Sequence, residues 1–185
     1  MYNDIEQIWI SKEALQKRIK ELAVELDAEY AGKNPLMICI LKGAVMFFTD
    51  LIREMKIPLA IDFMSISSYG GGTRSSGEVK MIKDLDTTIE GRDIIIVEDI
   101  MDSGYTLQYL KRMLSGRNPS SIKICCLLDK PSRREVDLQA DYKGFEIENQ
   151  FVVGYGLDYN QKYRNLPDIG ILKPSVYTET ETKEE

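Results

Sequence analysis

Three carboxylates, Glu98, Asp99 and Asp102, close an apolar run, Ile94 to Val97, and are followed by Ser103, Gly104 and Thr106. Burying an unpaired carboxylate is costly, so acids at the end of such a run point to a ligand or a metal. A strand running into a helix after Gly104 presents free N–H groups and partial positive charge, a natural phosphate seat. Ser103 and Thr106 would add hydroxyl donors, and Gly104 would let the ligand approach the backbone. Hard carboxylate oxygens beside a phosphate suit sugar hydroxyls or Mg²⁺. Adjacent strand residues point to opposite faces, so Glu98 and Asp99 share one wall only if the strand has ended before them. The chain has no histidine. That removes Ser-His-Asp catalysis and histidine-ligated zinc, and leaves acid–base work to Asp, Glu, Lys or Tyr.

The elements that must hold these residues are legible as alternating strands and helices. Leu15, Ile19, Leu22 and Leu26 predict a helix, with Ser11 and Gly32 as its caps. "LMICIL" (36–41) predicts a strand buried on both faces, and "AVMFFTDLIREM" (44–55) a helix. "LAIDFMSISSY" (59–69) and "VKMIKDL" (79–85) are strand-like and flank the Gly/Ser-rich "GGGTRSSG" (70–77). "DIIIVEDI" (93–100), helix "TLQYLKRML" (106–114) closing near Gly116, and strand "SIKICCLL" (121–128) follow, with shorter strands at 151–156 and 169–172. This alternation predicts βαβ units, an α/β fold with a mostly parallel twisted sheet and helices on both faces. One domain spanning 1–185 is expected, with 174–185 a frayed acidic tail.

Composition narrows the function classes. Of 185 residues, 43% are hydrophobic and 29% charged, which is ordinary for a globular chain. The formal net charge of -6 argues against a broad nucleic-acid surface, while leaving room for a local basic pocket. No apolar run reaches membrane-spanning length, and the N-terminal residues lack a basic start, so no membrane segment or signal peptide is expected. Cys39, Cys125 and Cys126 sit in apolar runs without a C-x-x-C and predict free buried thiols in a reducing, cytoplasmic setting. "GTRSSGEV" has P-loop glycine spacing but carries Glu78 where the lysine must stand.

"VEDIMDSGYT" (97–106) resembles the phosphoribosyl pyrophosphate signature of type I phosphoribosyltransferases, in the form found in 6-oxopurine enzymes. "LKGA" (41–44), "SSYGGGTRSSG" (67–77), "LLDKPSRR" (127–134) and the segment 141–167 are similar in order and spacing to hypoxanthine-guanine phosphoribosyltransferases. The resemblance implies that fold, with a small hood built from the terminal segments. It implies transfer of phosphoribose to hypoxanthine or guanine in purine salvage, with small-molecule substrates, Mg²⁺ and a homodimer or homotetramer. It implies Asp102 as the catalytic base, and Glu98, Asp99, Ser103, Gly104, Tyr105 and Thr106 on the phosphoribose. Lys42, Gly43, Ser68, Tyr69 and Arg164 fall to pyrophosphate, with the Leu41–Lys42 peptide cis in many members and 67–77 a closing lid. Lys130, Phe151, Val152 and Asp158 fall to the purine, and Glu98, Asp99 and Asp158 to the metal. Ser103 stands where many relatives carry Thr, Tyr105 where some carry Lys, and Ala44 where some carry Gly. Two alternatives are a xanthine-preferring enzyme and a nucleic-acid-binding regulator that senses phosphoribosyl pyrophosphate on the same fold.

Overall fold

The computed structural model describes residues 1–68 and 79–181. Its larger sheet contains β2 (Leu36–Leu41), β3 (Ala60–Ser68), β4 (Val79–Lys83), β5 (Asp93–Met101), β6 (Ser121–Asp129) and β7 (Tyr142–Glu146). Their order is β4-β3-β2-β5-β6-β7, parallel throughout except for the antiparallel β3–β4 pair.

The apolar runs of β2, β5 and β6 follow from cover on both faces. Met37, Cys39, Ile95, Val97, Cys125 and Leu127 share one core cluster with residues of α1 (Lys12–Glu29) and α2 (Val45–Glu54). The alternate residues Leu36, Ile38, Ile94, Ile96, Ile124 and Cys126 join a second cluster with Leu107, Leu110 and Leu114 of α3 (Tyr105–Ser115). A period of two along each strand thus feeds two separate cores.

Helix ends agree in part with the sequence. Ser11 caps α1, its Oγ accepting from Ala14 N at 3.3 Å. The expected Gly32 cap is displaced by Tyr30, whose N–H already bonds Leu26 O; Gly32 turns the chain just beyond, at φ +74°. Gly116 caps α3 as expected.

The terminal segments form a second, antiparallel sheet, β1-β9-β8. It unites β1 (Ile5–Ile10) with β8 (Val152–Val153) and β9 (Ile169–Leu172). The expected strand over 151–156 joins the sheet only at its two valines, because Gly154 and Tyr155 turn at positive φ and Gly154 bridges back to Leu157. The tail departs from expectation too. Instead of fraying from 174, the chain forms α4 (Pro174–Glu181), tied down through Lys173, whose N–H donates to Asp4 O at 2.9 Å. Val176 and Tyr177 pack on the hood cluster of Ile5, Val153, Tyr163, Leu166 and Leu172, so apolar contact supplies the order.

Candidate active site

Strand order turns back at β2, with β3 on one side and β5 on the other. Pairing of β2 with β5 stops at Cys39–Val97, although β2 continues to Leu41 and β5 to Met101. The carboxyl ends therefore part, at the place where open α/β sheets bind their ligands.

Glu98 and Asp99 lie within β5, not beyond its end, and so serve different walls. Glu98 lines a cleft of about 130 Å³ together with Asp102, Ser103, Gly104 and Thr106. Its Oε2 is buried and has no hydrogen-bond partner among the described residues. Asp99 is turned the other way. Its Oδ1 accepts from Ile100 N at 2.7 Å, and its Oδ2 rests on Gly43. Burial, and next the Asp99 charge, raise the Glu98 carboxyl well above the ordinary range. Burial also raises Asp99, opposed by Glu98, the Ile100 amide and the Arg164 charge. An unpartnered buried oxygen within such a pair fits a hard cation whose remaining ligands are oxygens of a substrate.

Gly104 is the N-cap of α3 at φ +89° and offers no side-chain acceptor to the first-turn amides. A side chain there would also strike Val136 Cγ2, 2.7 Å from the ideal Cβ position. Ser103 and Thr106 line the cleft at this helix start, completing an anion seat. Tyr105 corrects the expectation. Its side chain lines a neighbouring groove with Gln108, Tyr109 and Arg112 and is not part of the cleft lining.

Lys42 and Gly43 form the turn after β2, and the Leu41–Lys42 peptide is cis. The Lys42 side chain is exposed. Gly43 is hemmed in on two sides, since a Cβ on Gly156 would lie 2.0 Å from Gly43 O. Arg164 Nη1 donates to Gly156 O at 2.7 Å, and its Nη2 pairs with Asp158 Oδ1 at 2.8 Å. Asp158 Oδ2 accepts from Gln161 N at 2.8 Å. Among the described residues no three acidic or thiol side chains converge on one point. The expected metal trio is therefore not assembled: Glu98 faces the cleft, Asp99 faces Gly43, and Asp158 pairs with Arg164. The Ser68 side chain, Tyr69 and residues 70–77 of the expected 67–77 lid lie outside the described residues.

Of the residues expected on the purine, Lys130 and Phe151 are brought near each other through Gln150. Lys130 is buried, its N–H donating to Met101 O at 3.0 Å and its Nζ to Gln150 O at 2.8 Å. Burial lowers its pKa below the ordinary lysine value. Phe151 follows Gln150 and leaves 37% of its surface exposed, whereas Val152 is buried. Cys39, beneath the acidic pair, is no nucleophile, since burial pushes its thiol up to about 12.

Sequence reading missed two arginines that buttress the acidic turn. Arg133 Nε pairs with Asp102 Oδ1 at 3.1 Å. Arg134 holds both the Asp102 carbonyl and the Asp129 carboxylate, and Glu135 N donates to Ser103 O at 3.0 Å. The only trace of this in the sequence is the pair of arginines three residues past Lys130. Nothing local ties them to a turn some thirty residues earlier.

Comparison with known proteins agrees with this geometry. Residues 10–160 match the model of the phosphoribosyl transferase domain. A hypoxanthine-guanine phosphoribosyltransferase from Bacillus subtilis is 58% identical over 177 residues, covering 96% of this chain and 98% of that one. A hypoxanthine phosphoribosyltransferase structure from Staphylococcus aureus superposes with a TM-score of 0.93 at 49% identity, covering 96% of each chain. The bifunctional protein TilS/HprT of Listeria innocua is 56% identical over 179 residues, or 97% of this chain. The chain spans only 28% of that relative's length.

Proposed function

The chain belongs to the phosphoribosyltransferase family, and from that premise we propose a purine-salvage enzyme that transfers phosphoribose from phosphoribosyl pyrophosphate to hypoxanthine and guanine. The products are inosine or guanosine monophosphate and pyrophosphate. One observation carries the reading: Met101, which lines the helix-start cleft with Ser103, Gly104 and Thr106, accepts from the backbone of buried Lys130, whose ammonium donates to Gln150 O next to the part-exposed Phe151. The cleft fits a sugar phosphate, and the lysine and ring a flat base with an exocyclic oxygen.

In this reaction a purine nitrogen bonds to the anomeric carbon as the bond to pyrophosphate breaks. Ser103, Gly104, Thr106 and the Tyr105 amide hold the 5'-phosphate. Glu98 and Asp99 would take the ribose hydroxyls and would hold Mg²⁺, and Asp158, now paired with Arg164, would be a further metal position. Mg²⁺ supplies positive charge to the departing pyrophosphate. Lys42, Gly43 and Arg164 receive that group, with Ser68 and Tyr69 assigned there by resemblance. Asp102 accepts the proton at the purine N7, Lys130 donates to the 6-oxygen, and Phe151 stacks on the ring. The Val152 and Asp158 carbonyls accept guanine's 2-amino group. No helix among the described residues is long and apolar enough to cross a membrane. We further propose a cytoplasmic homodimer or homotetramer.

The test is direct. The protein is incubated with phosphoribosyl pyrophosphate, Mg²⁺ and, separately, hypoxanthine, guanine, xanthine, adenine and uracil. Turnover of the first two is expected. A preference for xanthine would move the specificity, and turnover of none would sink the enzyme reading.

A further inference from the structure

Tyr177 sits on α4, far from the phosphate seat in sequence, yet its ring is stacked on Phe151. The ring centroids are 5.1 Å apart and the planes 24° from parallel. Tyr159 meets the same phenylalanine edge-on, at 5.6 Å and 88°. With both tyrosines against it, Phe151 still exposes 37% of its surface.

The backbone of this assembly is pinned from both chain ends. Phe151 O accepts from Leu172 N at 2.9 Å, and Lys173 N donates to Asp4 O at 2.9 Å. Lys173 Nζ reaches Asn3 O at 2.7 Å. Just before Phe151, Gln150 O receives the Lys130 ammonium. These bonds fix where the Phe151 Cα lies, but none fixes the plane of its ring. Side-chain packing does that, and the near-parallel ring contact comes from Tyr177.

We infer that Tyr177 is a positioning residue for the purine, a rear plate that holds the plane of Phe151 so that its remaining exposed surface meets the base. This rests on the reading of Phe151 as the stacking surface. A stacked aromatic pair stabilises beyond simple burial and prefers an offset, near-parallel arrangement. Removing the rear ring frees Phe151 to tilt, which weakens stacking on the base and leaves the phosphoribose end untouched. The consequence is a specific split between the two substrates.

The test compares Tyr177→Ala, Tyr177→Leu and Tyr177→Phe with the wild-type protein, each checked by thermal melting. The alanine and leucine variants are expected to raise KM for hypoxanthine and guanine about three- to tenfold, the scale of one lost ring pair. Their KM for phosphoribosyl pyrophosphate should stay within about twofold. Phenylalanine should restore the wild-type KM, because the ring matters and the hydroxyl does not. An unchanged base KM in the alanine and leucine variants would overturn the inference. So would an equal rise for both substrates with no rescue by phenylalanine, since that marks general loosening of the hood. Absence of turnover by the wild-type protein would instead overturn the function reading, and the role of Tyr177 with it.

Discussion

Asp99 and Gly43 touch across the open end of the sheet so closely that a Cβ on residue 43 would lie 1.6 Å from Asp99 Oδ2. Gly156 closes the other side against Gly43 O. Three segments distant in sequence therefore meet with no room for a side chain on residue 43 or 156. Gly43→Ala must displace the carboxylate, and overpacking of this kind costs about 1–3 kcal/mol. A melting temperature lower by a few degrees is expected, with at least a tenfold loss in kcat/KM for phosphoribosyl pyrophosphate. Wild-type melting and kinetics in this variant would show that the contact is not obligatory.

Asp102→Asn keeps the shape of the side chain and an oxygen for Arg133 Nε, which now lies 3.1 Å from Oδ1. It removes the proton acceptor. Turnover of hypoxanthine should fall on the order of 10²-fold or more. If kcat barely changes, Asp102 has no part in proton transfer.

Thr106→Val deletes one hydroxyl at the start of α3 with little change in volume. A charge-assisted hydrogen bond is worth roughly 1.5–3 kcal/mol, so affinity for phosphoribosyl pyrophosphate and for nucleotide product should weaken about tenfold or more. Calorimetry with inosine monophosphate reads this directly, and unchanged affinity would place the phosphate elsewhere.

Lys130 makes a prediction with a sign. Its burial lowers the pKa beneath the ordinary 10.5, so the folded protein gives up this proton more readily than the unfolded chain. The ammonium is fully present below the lowered value and is lost as pH rises through it. Accordingly kcat/KM for hypoxanthine should decline on the alkaline side before pH 10.5 is reached. Lys130→Met should abolish that limb, depress both 6-oxopurine activities and narrow the gap to adenine, whose 6-amino group is itself a donor. Because folding buries a charge it disfavours, the same variant should melt higher at neutral pH. A pH profile shared by the variant and the wild type would detach Lys130 from base recognition.

The sequence alone determined the central architecture. β2, β5 and β6 each carry an apolar run, 36–41, 94–97 and 124–128, because both of their faces are covered there, and that pattern is local. Ser11 and Gly116 likewise mark helix ends through their own backbone chemistry. The candidate anion seat at 103–106 comes from the same kind of local reading, since acids, hydroxyls and glycine follow one another along a single strand–helix turn. β1 and β7 were not legible. Their burial is uneven, and each is defined by the neighbour it pairs with, β9 and β6, far away in sequence. α4 was hidden similarly, because its order comes from packing on the hood and not from its acidic composition. Tertiary structure alone decided that β5 runs on through its two acids, sending Glu98 to α3 and Asp99 to Gly43. It also joined Arg133 to Asp102, Arg164 to Asp158 and Tyr177 to Phe151. Periodicity encodes which face of an element is buried. It carries no record of what the order of strands will bring against that face.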